Sequence, residues 1–154
     1  MASHRERRLM PFPADQLFNL VADVESYPKF LPWCSDAQVI SREARGSVIV
    51  MQADMTISFK VHREKFRSEV TLDHEARVIG TRYVNGPFKR MISEWRFEPA
   101  GERATNVNFF IDFEFRNHAL QMLIGLLFEE AVRRIVAAFA TRAEALYGKK
   151  SATT

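Results

Sequence analysis

Four histidines, one cysteine and a few close-set carboxylates are the side chains here that could ligate a metal or move a proton. His4, His62, His74 and His118 lie far apart, and no H-E-x-x-H or C-x-x-C frames them, so no metal site is expected. Cys34 stands alone beside Trp33; it could act as a nucleophile, but a buried cysteine more often serves as inert packing. Asp112 and Glu114 alternate with phenylalanines, on the opposite face of the same strand, which argues against paired-carboxylate catalysis inside a cavity. Asp23 and Glu25 flank a helix end and suit local hydrogen bonding. The chain has no G-x-G-x-x-G, no G-x-x-x-x-G-K-[ST] and no G-x-S-x-G, so neither a nucleotide cradle nor a nucleophile elbow is indicated. No catalytic residue is expected.

The elements that would position these groups read clearly. Asn117 is a suitable N-cap and Gly148 a suitable C′ residue for a helix of about eight turns, roughly 45 Å long. Its second half is amphipathic, with Ile135, Ala138, Phe139 and Leu146 on one face. Its first half, Leu120 to Phe128, is apolar nearly all round and needs cover on several sides. Before it, Ile49, Met51, Ala53, Met55, Ile57, Phe59 and Val61 are apolar at every second position, as in a half-buried strand. The pattern is long for one strand, which places a turn near Asp54–Thr56 and a bulge or bend near Arg63–Lys65. Further strands follow at Val78–Tyr83, at Met91–Phe97 and from Val107 to Phe115, where only Phe110 breaks the alternation. Short turns (Asp73-His74-Glu75, Asn85-Gly86-Pro87, Pro99-Ala100-Gly101) make this an antiparallel meander of the α+β class. Upstream lie an extended start, a short helix behind Pro13 with Leu17, Leu20, Val21 and Val24 as its stripe, and the apolar loop Tyr27 to Cys34. That loop's two prolines forbid a normal helix interior. It either plugs the core or forms a lid over a cavity.

At 154 residues, with 47% apolar and 27% charged side chains, the chain suits one soluble domain, 1–154. Its longest apolar run is too short to span a bilayer, and the polar opening Met1–Arg8 reads as no secretory leader. A single cysteine fits a reducing compartment, so the expected location is cytoplasmic, with peripheral attachment at the inner face of the membrane also open. The net charge is +3. Arg5, Arg7, Arg8 and Lys149-Lys150 carry part of the basic excess, which is ordinary solvated charge or an attraction to lipid headgroups or RNA phosphate.

Three stretches together resemble the coenzyme Q-binding and ribosome-association toxin family of the polyketide cyclase/START-like superfamily. They are Asp23-Val24-Glu25-Ser26-Tyr27-Pro28-Lys29-Phe30-Leu31-Pro32-Trp33, Gly86–Arg90 through Trp95–Pro99, and Phe113–Asn117 leading into Phe128-Glu129-Glu130 and Ala138–Ala143. The resemblance covers about residues 5–148; Asn117 stands where a serine is usual and Leu127-Phe128 where paired phenylalanines are common. It implies a helix-grip fold: a curved antiparallel sheet of about six to seven strands around the C-terminal helix, enclosing an apolar tunnel. It also implies one of two roles, ubiquinone binding in support of respiration or association with the large ribosomal subunit. The wider superfamily adds polyketide cyclases and dehydratases.

The residues and the resemblance converge on a non-enzymatic carrier of ubiquinone or a similar prenylated molecule, with no cofactor required. Phe30, Trp33, Met55, Phe59, Trp95, Phe113, Leu123 and Leu127 are the candidate lining, though each could equally fill the core. Gly125 is expected to leave room for the ligand or for the Pro28–Pro32 loop. Expected partners are a hydrophobic small molecule, a peripheral membrane contact and the large ribosomal subunit, the last through Arg5, Arg7, Arg8, Lys89 and Arg90; DNA is not expected. A cyclase-like role would need a polar group inside the tunnel.

Overall fold

In the computed structural model, residues 2–59 and 61–148 are described, without the side chains of Ala2, Phe59 and His62. Strand β1 (Ala2–Met10) leads into helix α1 (Ala14–Ala22) and a 3-10 helix (Val24–Lys29). A meander follows: β2 (Cys34–Arg45), β3 (Val48–Phe59), β4 (His62–Asp73), β5 (Val78–Asn85), β6 (Phe88–Pro99) and β7 (Thr105–Phe115). Helix α2 (His118–Ala143) closes the fold, with one π-helical turn, Glu144–Gly148, at its end. The seven strands form one antiparallel sheet in the order β1-β7-β6-β5-β4-β3-β2. This is the helix-grip architecture, a curved sheet holding a long helix against its inner face.

Alternation decides which side chains meet that helix. Along β7, Val107, Phe109 and Phe113 are buried, and along β6, Met91, Trp95 and Phe97. The register sets these rows side by side: Met91 faces Phe113, Trp95 faces Phe109 and Phe97 faces Val107. From α2, Val132, Val136, Phe139 and Ala143 pack down on them. Helix α1 plugs one end with Leu17, Phe18, Leu20 and Val21. The segment after α1, which carries Pro28, takes the tighter 3-10 form. Its Tyr27 hydroxyl donates to the Val21 carbonyl, so the buried phenol is satisfied, and burial drives its pKa upward. Thr105, fully buried, donates to the Phe12 carbonyl at 2.8 Å and ties the start of β7 to the turn after β1.

Several boundaries differ from the sequence reading. Strand β3 runs unbroken through Asp54–Thr56, and β4 pairs with it in continuous register from Phe59↔His62 to Val48↔Asp73. The change of apolar parity beyond His62 is therefore the hairpin turn itself, not a bulge at Arg63–Lys65. Charge helps hold the continuous ladder: Arg67 bonds Asp54 at 2.6 and 3.0 Å across β3 and β4, and that guanidinium keeps the Asp54 carboxyl below the usual range. Asn117 caps α2 as expected, accepting from the Leu120 amide at 3.1 Å. Gly148, however, lies buried inside the π turn and is no exposed C′ residue. Leu146 is 43% exposed, so Val132, Val136 and Phe139, not Leu146, make the buried stripe of the helix's second half.

Candidate functional site

The apolar first half of α2 does not collapse completely onto the sheet. Between them lies a cavity of about 360 Å³. Its floor comes from the strands: Ile57 of β3, Phe66 of β4, Phe88 and Met91 of β6, and Ile111, Phe113 and Phe115 of β7. Its roof is α2, with Ile124, Leu127, Phe128, Ala131, Val132 and Ile135, and Trp33 closes one side. Glu130 and Arg134 stand at the rim and bond each other at 3.1 Å, both well exposed. The wall is otherwise hydrocarbon and aromatic ring.

Aromatic packing fixes the shape of the floor. Phe88 stacks on Phe115 at 4.7 Å and meets Phe66 edge-on at 5.2 Å, while Phe113 tilts against Phe128 at 4.8 Å. Gly86 makes this cluster possible. A Cβ there would sit 2.6 Å from the Phe66 Cβ, and its backbone has φ +147, so only glycine lets the β5–β6 turn press this close. Trp33 also has an unusual backbone: φ is +66, a left-handed conformation costly for a bulky residue. Its carbonyl accepts from the Ser58 amide at 2.7 Å, which anchors the indole beside the end of β3.

The candidate lining residues separate by position. Trp33, Phe113 and Leu127 line the cavity together. Trp95 is 6% exposed and packs against Phe97, Phe109 and Phe139, deeper in the core and outside the lining. Phe30 lies against Tyr27 and Phe139, with the Arg142 guanidinium 5.5 Å from its ring. Met55 and Leu123 are half-buried but do not line the cavity. The Phe59 side chain lies outside the described residues. Gly125 is exposed with open space where a Cβ would stand, so it does not make room inside the cavity. The rest of the wall, including Phe66, Phe88, Met91, Ile111, Phe115 and Phe128, lies outside the candidate set. Alternation already put most of them on the inward face; what it lacked was position along the strand relative to the helix.

The titratable groups gather elsewhere. Burial pushes the Cys34 thiol up to about 11, so it stays protonated at neutral pH. His4 and Glu6 turn to the inner face of β1 and approach to 3.4 Å, with the His4 ring edge-on to Phe128. The His74 ring lies tilted against Phe18, His118 opens α2, and the His62 side chain lies outside the described residues. Among the described residues no three metal-ligating side chains come together. Asp112 and Glu114 face outward, pairing with Arg90 and Lys89. Around the cavity the apolar surface continues outward: Leu126 is 85% exposed and Met122 73%, one turn apart on α2, with Leu127 at 41% beside them.

A family model described as polyketide cyclase / dehydrase and lipid transport matches residues 10–140. A ribosome association toxin, RatA, of Pseudomonas aeruginosa is 36% identical over 149 residues, covering 96% of this chain and all of the relative. The mitochondrial coenzyme Q-binding protein COQ10 homolog B of Xenopus laevis is 29% identical, covering 96% of this chain and 60% of that protein. The solution structure of the 18 kDa protein CC1736 from Caulobacter crescentus superposes with a TM-score of 0.80 at 37% identity, over 96% of this chain and 99% of that one.

Proposed function

The chain belongs to the polyketide cyclase / dehydrase and lipid transport family, and from that premise we propose that it is a non-enzymatic carrier of ubiquinone or a similar prenylated molecule. The observation that carries this reading is the apolar cavity between sheet and α2. At about 360 Å³ it sits at the lower end of the roughly 300–1,000 Å³ typical of small-molecule sites. It therefore suits a ring and the first part of a prenyl tail, the remainder leaving past Leu127. Each isoprene unit taken from water contributes roughly 3 kcal/mol before ordering costs. The ionisable residues of the wall, Glu130 and Arg134, are paired and exposed at the rim, which supports binding rather than acid–base chemistry. Exposed Met122 and Leu126 suit a peripheral contact with the inner face of a bilayer, where such a ligand resides. No helix among the described residues is long and apolar enough to cross a membrane.

Extraction of the purified protein followed by mass spectrometry tests the carrier reading. A quinone or prenyl lipid at near-stoichiometric yield supports it. Empty protein that also takes up no ubiquinone from vesicles overturns it.

A second reading, association with the ribosome, is favoured by a different surface. Of the basic candidates, Lys89 and Arg90 are engaged by Glu114 and Asp112, whereas Arg5 and Arg7 stand exposed on β1. The relative's name as a ribosome association toxin supports the same reading. Overexpression with sucrose-gradient analysis of subunit joining tests it: unchanged gradients and growth would end it. The two readings use opposite faces of the sheet and do not compete.

A further inference from the structure

The outer face of the sheet holds an aromatic where strand alternation calls for a polar residue. Phe110 of β7 points away from α2 and is only half-buried. Its rung across the sheet is Arg5–Phe110–Glu94, and the next rung is Arg7–Asn108–Arg96. The Arg5 guanidinium lies over the Phe110 ring, 4.4 Å from its centroid. Glu94 is neutralised by Arg96, and Arg7 has no carboxylate partner among the described residues. Ile92, 47% exposed, extends the apolar floor. Over these side chains lies a cleft of about 550 Å³. Its lining carries Arg5, Arg7 and Arg96 against Glu6 and Glu94, which leaves a net positive balance.

We infer that this cleft binds single-stranded RNA, with one base stacked on Phe110 and the flanking phosphates held by Arg5 and Arg7. The inference deepens the ribosome reading and is independent of the carrier reading. Stacking accepts any base because every base has a π face, and an aromatic floor beside unpaired cations is how single strands are held without sequence preference. Arg5 and Arg7, two residues apart on one strand, project from the same face about 7 Å apart, close to the spacing of successive phosphates. A base entering the cleft replaces the guanidinium over Phe110, and Arg5 moves to a phosphate. A bilayer fits this surface poorly, because the ring forms the floor of a cleft and does not protrude.

The test is fluorescence anisotropy of the full chain with a labelled oligoadenylate, from about 50 to 200 mM salt. Two phosphate contacts on a single strand, one each at Arg5 and Arg7, predict about a sevenfold loss of affinity over that range. Phe110→Ala should weaken binding at least fivefold with the salt slope unchanged, while Phe110→Tyr retains it and controls for folding. Arg5→Glu with Arg7→Glu should remove binding; Lys89→Glu with Arg90→Glu should leave it intact. No binding by the wild type, equal loss in the Lys89/Arg90 variant, or preference for phosphatidylglycerol vesicles over RNA would overturn the site. Cosedimentation with isolated ribosomal subunits separates this from the reading beneath it. If the wild type cosediments and the Phe110 and Arg5/Arg7 variants do so equally, ribosome association stands and this cleft is overturned. If the wild type fails to cosediment while oligoadenylate binding requires Phe110, the RNA site stands and ribosome association falls.

Discussion

Trp33 and Trp95 look equivalent in the sequence, two tryptophans among apolar neighbours, but the fold gives them different work. Trp33 borders the cavity from a left-handed backbone held by Ser58, while Trp95 is sealed against Phe109 and Phe139. A quinone in the cavity should therefore quench chiefly Trp33. Trp95→Phe is expected to keep most of the fluorescence change on ubiquinone addition, and Trp33→Phe to lose it. Equal quenching in the two variants would place the ligand elsewhere. Nothing in the one-dimensional pattern separates these residues. Alternation assigns a face, and Met91 and Trp95 share theirs; Met91 borders the cavity while Trp95 is covered by Phe109 and Phe139, which alternation cannot tell apart. The left-handed Trp33 was equally hidden, because the prolines around it announce a turn without specifying its type.

At the scale of the element, α2 was the most legible part of the chain and also the most misleading. Its start, cap and length followed from composition, and its first half, Leu120 to Phe128, is apolar nearly all round. Such a stretch calls for cover on several sides, whereas the fold covers Leu120 and Phe128 and leaves Met122 and Leu126 in solvent. Gly125 belongs to that uncovered side. Since a Cβ there meets nothing within 4 Å, Gly125→Ala should stabilise the protein by about 0.5–1 kcal/mol without changing ligand uptake. Urea denaturation with a parallel binding titration checks both halves. Destabilisation, or loss of uptake, would mean that the helix needs its flexibility at this turn. Strand β3 failed in the opposite direction: twelve residues looked too long for one strand, but a curved sheet needs long strands, and continuous pairing with β4 supports the whole run.

For the molecule as a whole, the meander could be read from alternation and turn residues, because those signals are local, whereas the curved sheet gripping the helix is what the family resemblance implies. The cavity could not be read from local signals, since it is what remains when helix and sheet fail to fill the space between them. Filling it should be felt globally. A ligand at a hundred times its Kd adds about 2.7 kcal/mol to folding stability, roughly 5–10 °C in Tm for a domain of this size. Thermal unfolding with a short-tailed ubiquinone measures this, and an unshifted Tm at saturating ligand would argue that the space does not accept the molecule. The two faces of β6 and β7 carry a longer consequence. Beyond the register shift between Phe88 and Arg90, odd-numbered positions such as Met91, Phe109 and Phe113 look inward and even-numbered ones such as Ile92, Asn108 and Phe110 look outward. Substitutions can accumulate in one set while the other is held constant. A scaffold built this way can change what its interior holds without altering what its exterior meets, and the reverse.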